Sequence, residues 1–100
     1  MSSKVYSLDE LTALIKPLIV KYGAEEAILF GSYARQEATA GSDIDLMVIG
    51  GNRFDPTDIF CIADELFEIA GKNVDVYEQR EINFDSGLYR SIQREGVKIL

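Results

Sequence analysis

The chain reads as an α/β (α+β) fold, a small mixed sheet of about four strands with helices packed mainly on one face. Three observations predict it. Short apolar runs of strand length recur at residues 27–30, 43–49, 73–77 and 97–100. Amphipathic segments with three- and four-residue spacing lie between and ahead of them, and Gly, Pro or a capping residue marks most junctions. One hundred residues make one domain, residues 1–100, long enough to bury about 65% of the unfolded surface.

Ser7-x-x-Glu10 is a capping box, and Leu8, Leu11, Leu14, Ile15, Leu18 and Ile19 follow at helical spacing until Tyr22-Gly23 stops the segment. Pro17 falls inside it and should kink the helix or open a new first turn, because breaking a regular interior costs about 3 kcal/mol. Residues 27–30 form a short apolar strand, and Ser32 begins a brief helix carrying Tyr33, Ala34 and Arg35 before a polar loop through Gly41. Residues 43–49 are the next strand, ended by Gly50-Gly51-Asn52. Asp55 and Pro56 have the chemistry of a helix N-cap and first turn, with Ile59, Ile62, Ala63, Leu66, Phe67 and Ala70 as the buried stripe and Gly71 as the C-cap. In residues 73–77, Val74 and Val76 share one face and Asp75 takes the other. A last helix over residues 85–95 turns Leu88, Tyr89 and Ile92 inward, Gly96 closes it, and residues 97–100 return as a strand. The chain contains no repeat, low-complexity tract or linker.

Composition narrows the function. With 47% hydrophobic and 27% charged residues the chain is an ordinary soluble globule. No apolar run approaches the ~18 residues of a membrane span, and the first residues lack a signal-peptide stretch, so a cytoplasmic protein without membrane contact is expected. Cys61 is alone, and there is no histidine, which removes internal disulfides, the usual zinc sites and imidazole acid-base chemistry. Catalysis must then rest on carboxylates and metal. A net charge of -7 repels a phosphate backbone, so general nucleic-acid binding is not expected, and most of that charge serves solubility.

The informative motif is the pair Asp43 and Asp45, separated from Gly31-Ser32 by ten intervening residues. With eight aspartates in the chain, about 0.6 Asp-x-Asp pairs arise by chance, so the pair alone proves nothing. Its context is what counts. One apolar run ends at Gly31-Ser32, and the acidic pair opens the next. Residues two apart on a strand share a face, roughly 6 to 7 Å apart, close enough for divalent cations. Gly31 lets backbone approach phosphates, and Ser32 adds a hydroxyl, although an ordinary strand-to-helix turn uses the same residues. Asp75 is either a third carboxylate of this face or an exposed strand aspartate. Arg35 pairs with phosphate, with a carboxylate, or with solvent; Tyr33 reads as packing. Three carboxylates together repel and hold protons unless a cation neutralises them, and two Mg²⁺ ions ~3.5 to 4 Å apart can hold the attacking and leaving oxygens of a displacement at phosphorus.

From Phe30-Gly-Ser-Tyr-Ala-Arg35 through Gly41-Ser-Asp-Ile-Asp-Leu-Met-Val48 the chain resembles the minimal nucleotidyltransferases of the DNA polymerase beta superfamily, whose pattern is Gly-Ser, ten residues, Asp-x-Asp. The resemblance implies the nucleotidyltransferase fold, with Asp43 and Asp45 ligating two Mg²⁺ ions, Asp75 completing one metal site and helping deprotonate the acceptor, and Gly31 and Ser32 gripping the outer phosphates. ATP is the implied substrate, and an adenylyltransferase the implied enzyme. Gln36 departs from the pattern, since many relatives carry glycine there. Minimal members are often antitoxins of HEPN ribonuclease toxins, in some cases transferring AMP from ATP to a toxin tyrosine. The resemblance therefore implies a HEPN-family protein partner. A module that only occludes its partner, with Phe60 on the occluding surface, and an enzyme acting on a small molecule such as an aminoglycoside are the alternatives. Base preference and oligomeric state are not fixed by these residues.

Overall fold

A computed structural model describes residues 3–100. The first helix, α1 (Leu8–Tyr22), has the expected capping box: Glu10 N–H donates to Ser7 Oγ at 3.1 Å and Ser7 N–H donates to Glu10 Oε1 at 3.0 Å. Pro17 lies inside this one helix without ending it. It is exposed, while Leu18 and Ile19 beyond it are buried, so packing holds the next turn in place of the missing hydrogen bond. Gly23, at φ 76°, then ends the helix.

The sheet comprises β1 (Glu26–Phe30), β2 (Ile44–Ile49), β3 (Val74–Glu78) and β4 (Val97–Lys98), in the order β3-β2-β1-β4. β1 is antiparallel to both β2 and β4, and β2 is parallel to β3. That parallel pair requires a crossover, which α3 (Asp58–Ala70) provides. The short α2 (Gly31–Ala34) follows β1 directly, and α4 (Gly87–Glu95) precedes β4.

Helices α1 and α3 cover one face of the sheet, where Leu11, Ile15 and Ile19 meet Leu29, Leu46, Ile62 and Leu66 in the main core. On the other face Ile92 of α4 and Ile82 pack over Phe30 and Met47, a smaller core extended by Tyr77 and Tyr89. The main helices thus share one face as expected, and α4 covers part of the second.

Several boundaries differ from expectation. The third helix begins at Asp58 because Asp55 Oδ1 accepts the Thr57 N–H at 3.0 Å and its hydroxyl at 2.8 Å, closing a separate turn first. Ser86, not Asp85, caps α4, accepting the Tyr89 N–H at 3.1 Å. Phe67 is 45% exposed and Leu88 38%, so neither belongs to the core. A 3-10 turn over Gln79–Glu81 had no sequence signal and is held by Glu78, whose buried carboxylate accepts from Arg80 N–H and Nε.

Candidate active site

Strand β2 has two unlike faces. Ile44, Leu46 and Val48 are fully buried beneath the helices, which turns Asp45, Met47 and Ile49 to the opposite face. Register then decides who meets Asp45. Its Cα partner on parallel β3 is Asp75, and its partner on antiparallel β1 is Phe30. Asp43 lies two residues ahead of Asp45, at the exposed entry to the strand.

Because Phe30 sits opposite Asp45, the next residue, Gly31, passes over the Asp45 carboxylate. A Cβ built on Gly31 would overlap Asp45 Oδ2 and stand 3.3 Å from its Cγ. Gly31 also has φ 77°, a left-handed conformation that side chains resist, so glycine is required twice over. Half-buried Ser32 follows in α2, where its carbonyl accepts the Glu37 N–H at 2.9 Å.

The electrostatics agree with the register. Burial, then the charges of Asp75 and Asp43, push the Asp45 carboxyl up to about 6, with Arg35 pulling the other way. Tyr77, two residues beyond Asp75 on the same face, is raised by burial and then by Asp75 and Asp45. The three acids therefore share one field. Among the described residues no group of three or more Asp, Glu, Cys or His side chains closes around one point. An open acidic set of this kind suits Mg²⁺, which takes one or two carboxylates and completes its shell with water and phosphate oxygens.

Arg35 caps the end of α2 and donates from Nε to Glu37 Oε2 at 3.2 Å and from Nη1 to Glu95 Oε1 at 3.0 Å. Its partners are these two glutamates, and no hydrogen bond joins it to Asp43, Asp45 or Asp75 among the described residues. Tyr33 is buried in the main core, as packing requires. Lys72, 2% exposed, was not singled out in the sequence; its Nζ donates to Ala40 O at 2.6 Å. The period-two pattern that places Val74 and Val76 inward extends back to it, and that was the available signal. No helix among the described residues is long and apolar enough to cross a membrane.

Residues 14–100 match the family model described as polymerase beta, nucleotidyltransferase. The chain is 38% identical over 77 residues to a putative protein adenylyltransferase of Methanocaldococcus jannaschii, covering 77% of this chain and 83% of that protein. The solved structure of a putative minimal nucleotidyltransferase superposes with TM-score 0.75 at 27% identity, covering 92% of this chain and 95% of that one. A complex of a tri-AMPylated Shewanella oneidensis HEPN toxin with its MNT antitoxin shares the fold at TM-score 0.61 and 21% identity, covering 89% of this chain and 71% of the matched chain. The Gly-Ser turn over an acidic strand pair and the match along 14–100 lead to one assignment: this chain belongs to the polymerase beta nucleotidyltransferase family and is a nucleotidyltransferase.

Proposed function

We propose that this chain transfers AMP from ATP to a hydroxyl of a partner protein in the cytoplasm, and that the partner is a HEPN toxin it opposes as antitoxin. The observation that carries the reading is the placement of Asp45 beside Asp75 on an open sheet face, with the bare backbone of Gly31 against the Asp45 carboxylate. The described functions of the relatives, protein adenylylation and antitoxin partnership with an AMPylated HEPN toxin, supply the acceptor class.

In this reading Gly31 and Ser32 receive the outer phosphates through backbone N–H and hydroxyl. Asp43 and Asp45 would hold two Mg²⁺ ions, and Asp75 would complete one of the two sites. Bound magnesium neutralises triphosphate charge and makes the entering hydroxyl more nucleophilic. The acceptor oxygen bonds to the α-phosphorus as the bond to the bridging oxygen of pyrophosphate breaks, and the hydroxyl proton passes to Asp75. Arg35 exchanges a glutamate for phosphate.

The test uses ATP labelled at the α-phosphate, Mg²⁺ and a HEPN partner. Wild-type chain should move label onto the partner, and Asp45→Asn should stop transfer while keeping or raising its metal-free melting temperature. Transfer at the wild-type rate by that variant would remove the metal assignment. Exposed Phe60, Phe67 and Ile69 on α3 favour a second reading, in which the chain silences its partner by covering it. Stoichiometric inhibition without ATP or Mg²⁺ would select that reading.

A further inference from the structure

The loop from Gln36 to Asp43 connects α2 to the first carboxylate, and its anchoring is sparse. Its 39–42 turn is closed internally: Ser42 N–H donates to Thr39 O at 3.0 Å and Thr39 N–H donates to Ser42 Oγ at 2.9 Å. From Ala38 through Asp43, among the described residues, a single hydrogen bond reaches another part of the chain, the one from Lys72 Nζ to Ala40 O at 2.6 Å. Lys72 stands just before β3, next to Asn73, whose carbonyl accepts the Ile44 N–H at 2.9 Å. The lysine therefore lies at the end of the sheet where β2 begins.

Stability does not account for a lysine here. Lys72 is nearly inaccessible, and among the described residues it has no carboxylate partner, so its ammonium is desolvated for one carbonyl. A buried ammonium without a carboxylate partner carries a desolvation cost that an apolar side chain of similar volume does not. What a lysine provides and a methionine of similar length does not is a charged donor gripping the turn.

We propose that Lys72 is a positioning residue: by holding the Ala40 carbonyl it fixes the turn that delivers Asp43, and so sets the affinity of the site for the magnesium-nucleotide complex. This rests on the nucleotide reading above. The experiment pairs calorimetry of α,β-methylene ATP with Mg²⁺ against amide hydrogen exchange of the nucleotide-free chain, so the two ideas fail separately.

Lys72→Met should keep the wild-type melting temperature or exceed it. It should speed exchange across residues 38–43 about tenfold with β1 and β2 unchanged, and weaken nucleotide binding about tenfold. Lys72→Arg, which retains charge and donors, should return both to near wild type. Wild-type affinity and loop protection in Lys72→Met would overturn the proposal. So would a loss of affinity that accompanies faster exchange throughout the chain, or a failure of arginine to rescue. If the methionine variant does not fold, Lys72→Leu, which likewise lacks a donor, takes its place with the same outcomes. Wild-type chain that does not bind the analogue removes the nucleotide reading, and the exchange comparison then decides the clamp alone.

Discussion

Replacing Gly31 by alanine separates backbone strain from damage to the site, because Gly23 supplies a matched control. Gly31 has φ 77° and Gly23 has φ 76°, so alanine at either position meets a positive-φ penalty of about 1–2 kcal/mol. Their surroundings differ. Nothing lies within 4 Å of a Cβ at Gly23, whereas a Cβ at Gly31 overlaps Asp45 Oδ2. The obstacle is the end of a side chain, so Asp45 swings away, adding about 0.5–1.5 kcal/mol if it leaves its rotamer well. Displacing a reacting group by on the order of 1 Å costs about 10²-fold in rate. Urea denaturation and the α-phosphate transfer assay, run on both variants, should show Gly31→Ala losing about 0.5–1.5 kcal/mol more stability than Gly23→Ala and transferring about 10²-fold more slowly, with Gly23→Ala near wild-type activity. Comparable activity in the two variants would refute the idea that the Gly31 backbone and the Asp45 carboxylate form one unit.

Two further outcomes follow from the geometry. Asp45, raised to about 6 from the usual 3.8, binds its proton more tightly folded than unfolded, so its contribution to metal-free stability is full below about pH 4 and lost as pH rises through about 6. The whole shift corresponds to about 3 kcal/mol, which half-exposure of the group reduces to about 1 kcal/mol; urea midpoints stepped through this range should fall for wild type and stay flatter for Asp45→Asn. Gln36 adopts φ 59°, so Gln36→Gly should stabilise by about 0.5–1 kcal/mol, the left-handed strain exceeding the entropy of glycine. A lower urea midpoint for that variant would mean the glutamine side chain compensates for its backbone.

Period-two patterning made much of this legible. Val74 and Val76 face the helices and Asp75 the other side, as the alternation requires, and the interval between Gly31-Ser32 and Asp43 anticipated a turn meeting a strand. The resemblance set glycine against Gln36, and Gln36 does adopt a positive φ, the conformation that glycine takes without strain. What the sequence withheld was non-local. Nothing in Asn73-Val-Asp-Val-Tyr77 states that Asp75 pairs with Asp45, since register comes from β2 and β3 packing their apolar faces on the same helices. The helical stripe overreached at Phe67 on α3 and at Leu88 on α4, because burial depends on where other elements lie, which spacing along one helix does not encode. Lys72 escaped notice because a lysine in a polar turn ordinarily points to water.

Strand β2 belongs at once to the interior of the protein and to its reactive surface. Sliding it by a single residue against either neighbour would drive Asp45 into hydrocarbon and lift Leu46 into solvent, so an enzyme with a misaligned site would also be an unstable protein. Selection for solubility alone would therefore keep the carboxylates aimed correctly. Evolution of new acceptors on this scaffold is then confined to its periphery, the loops and the outward sides of helices, where change leaves that alignment untouched.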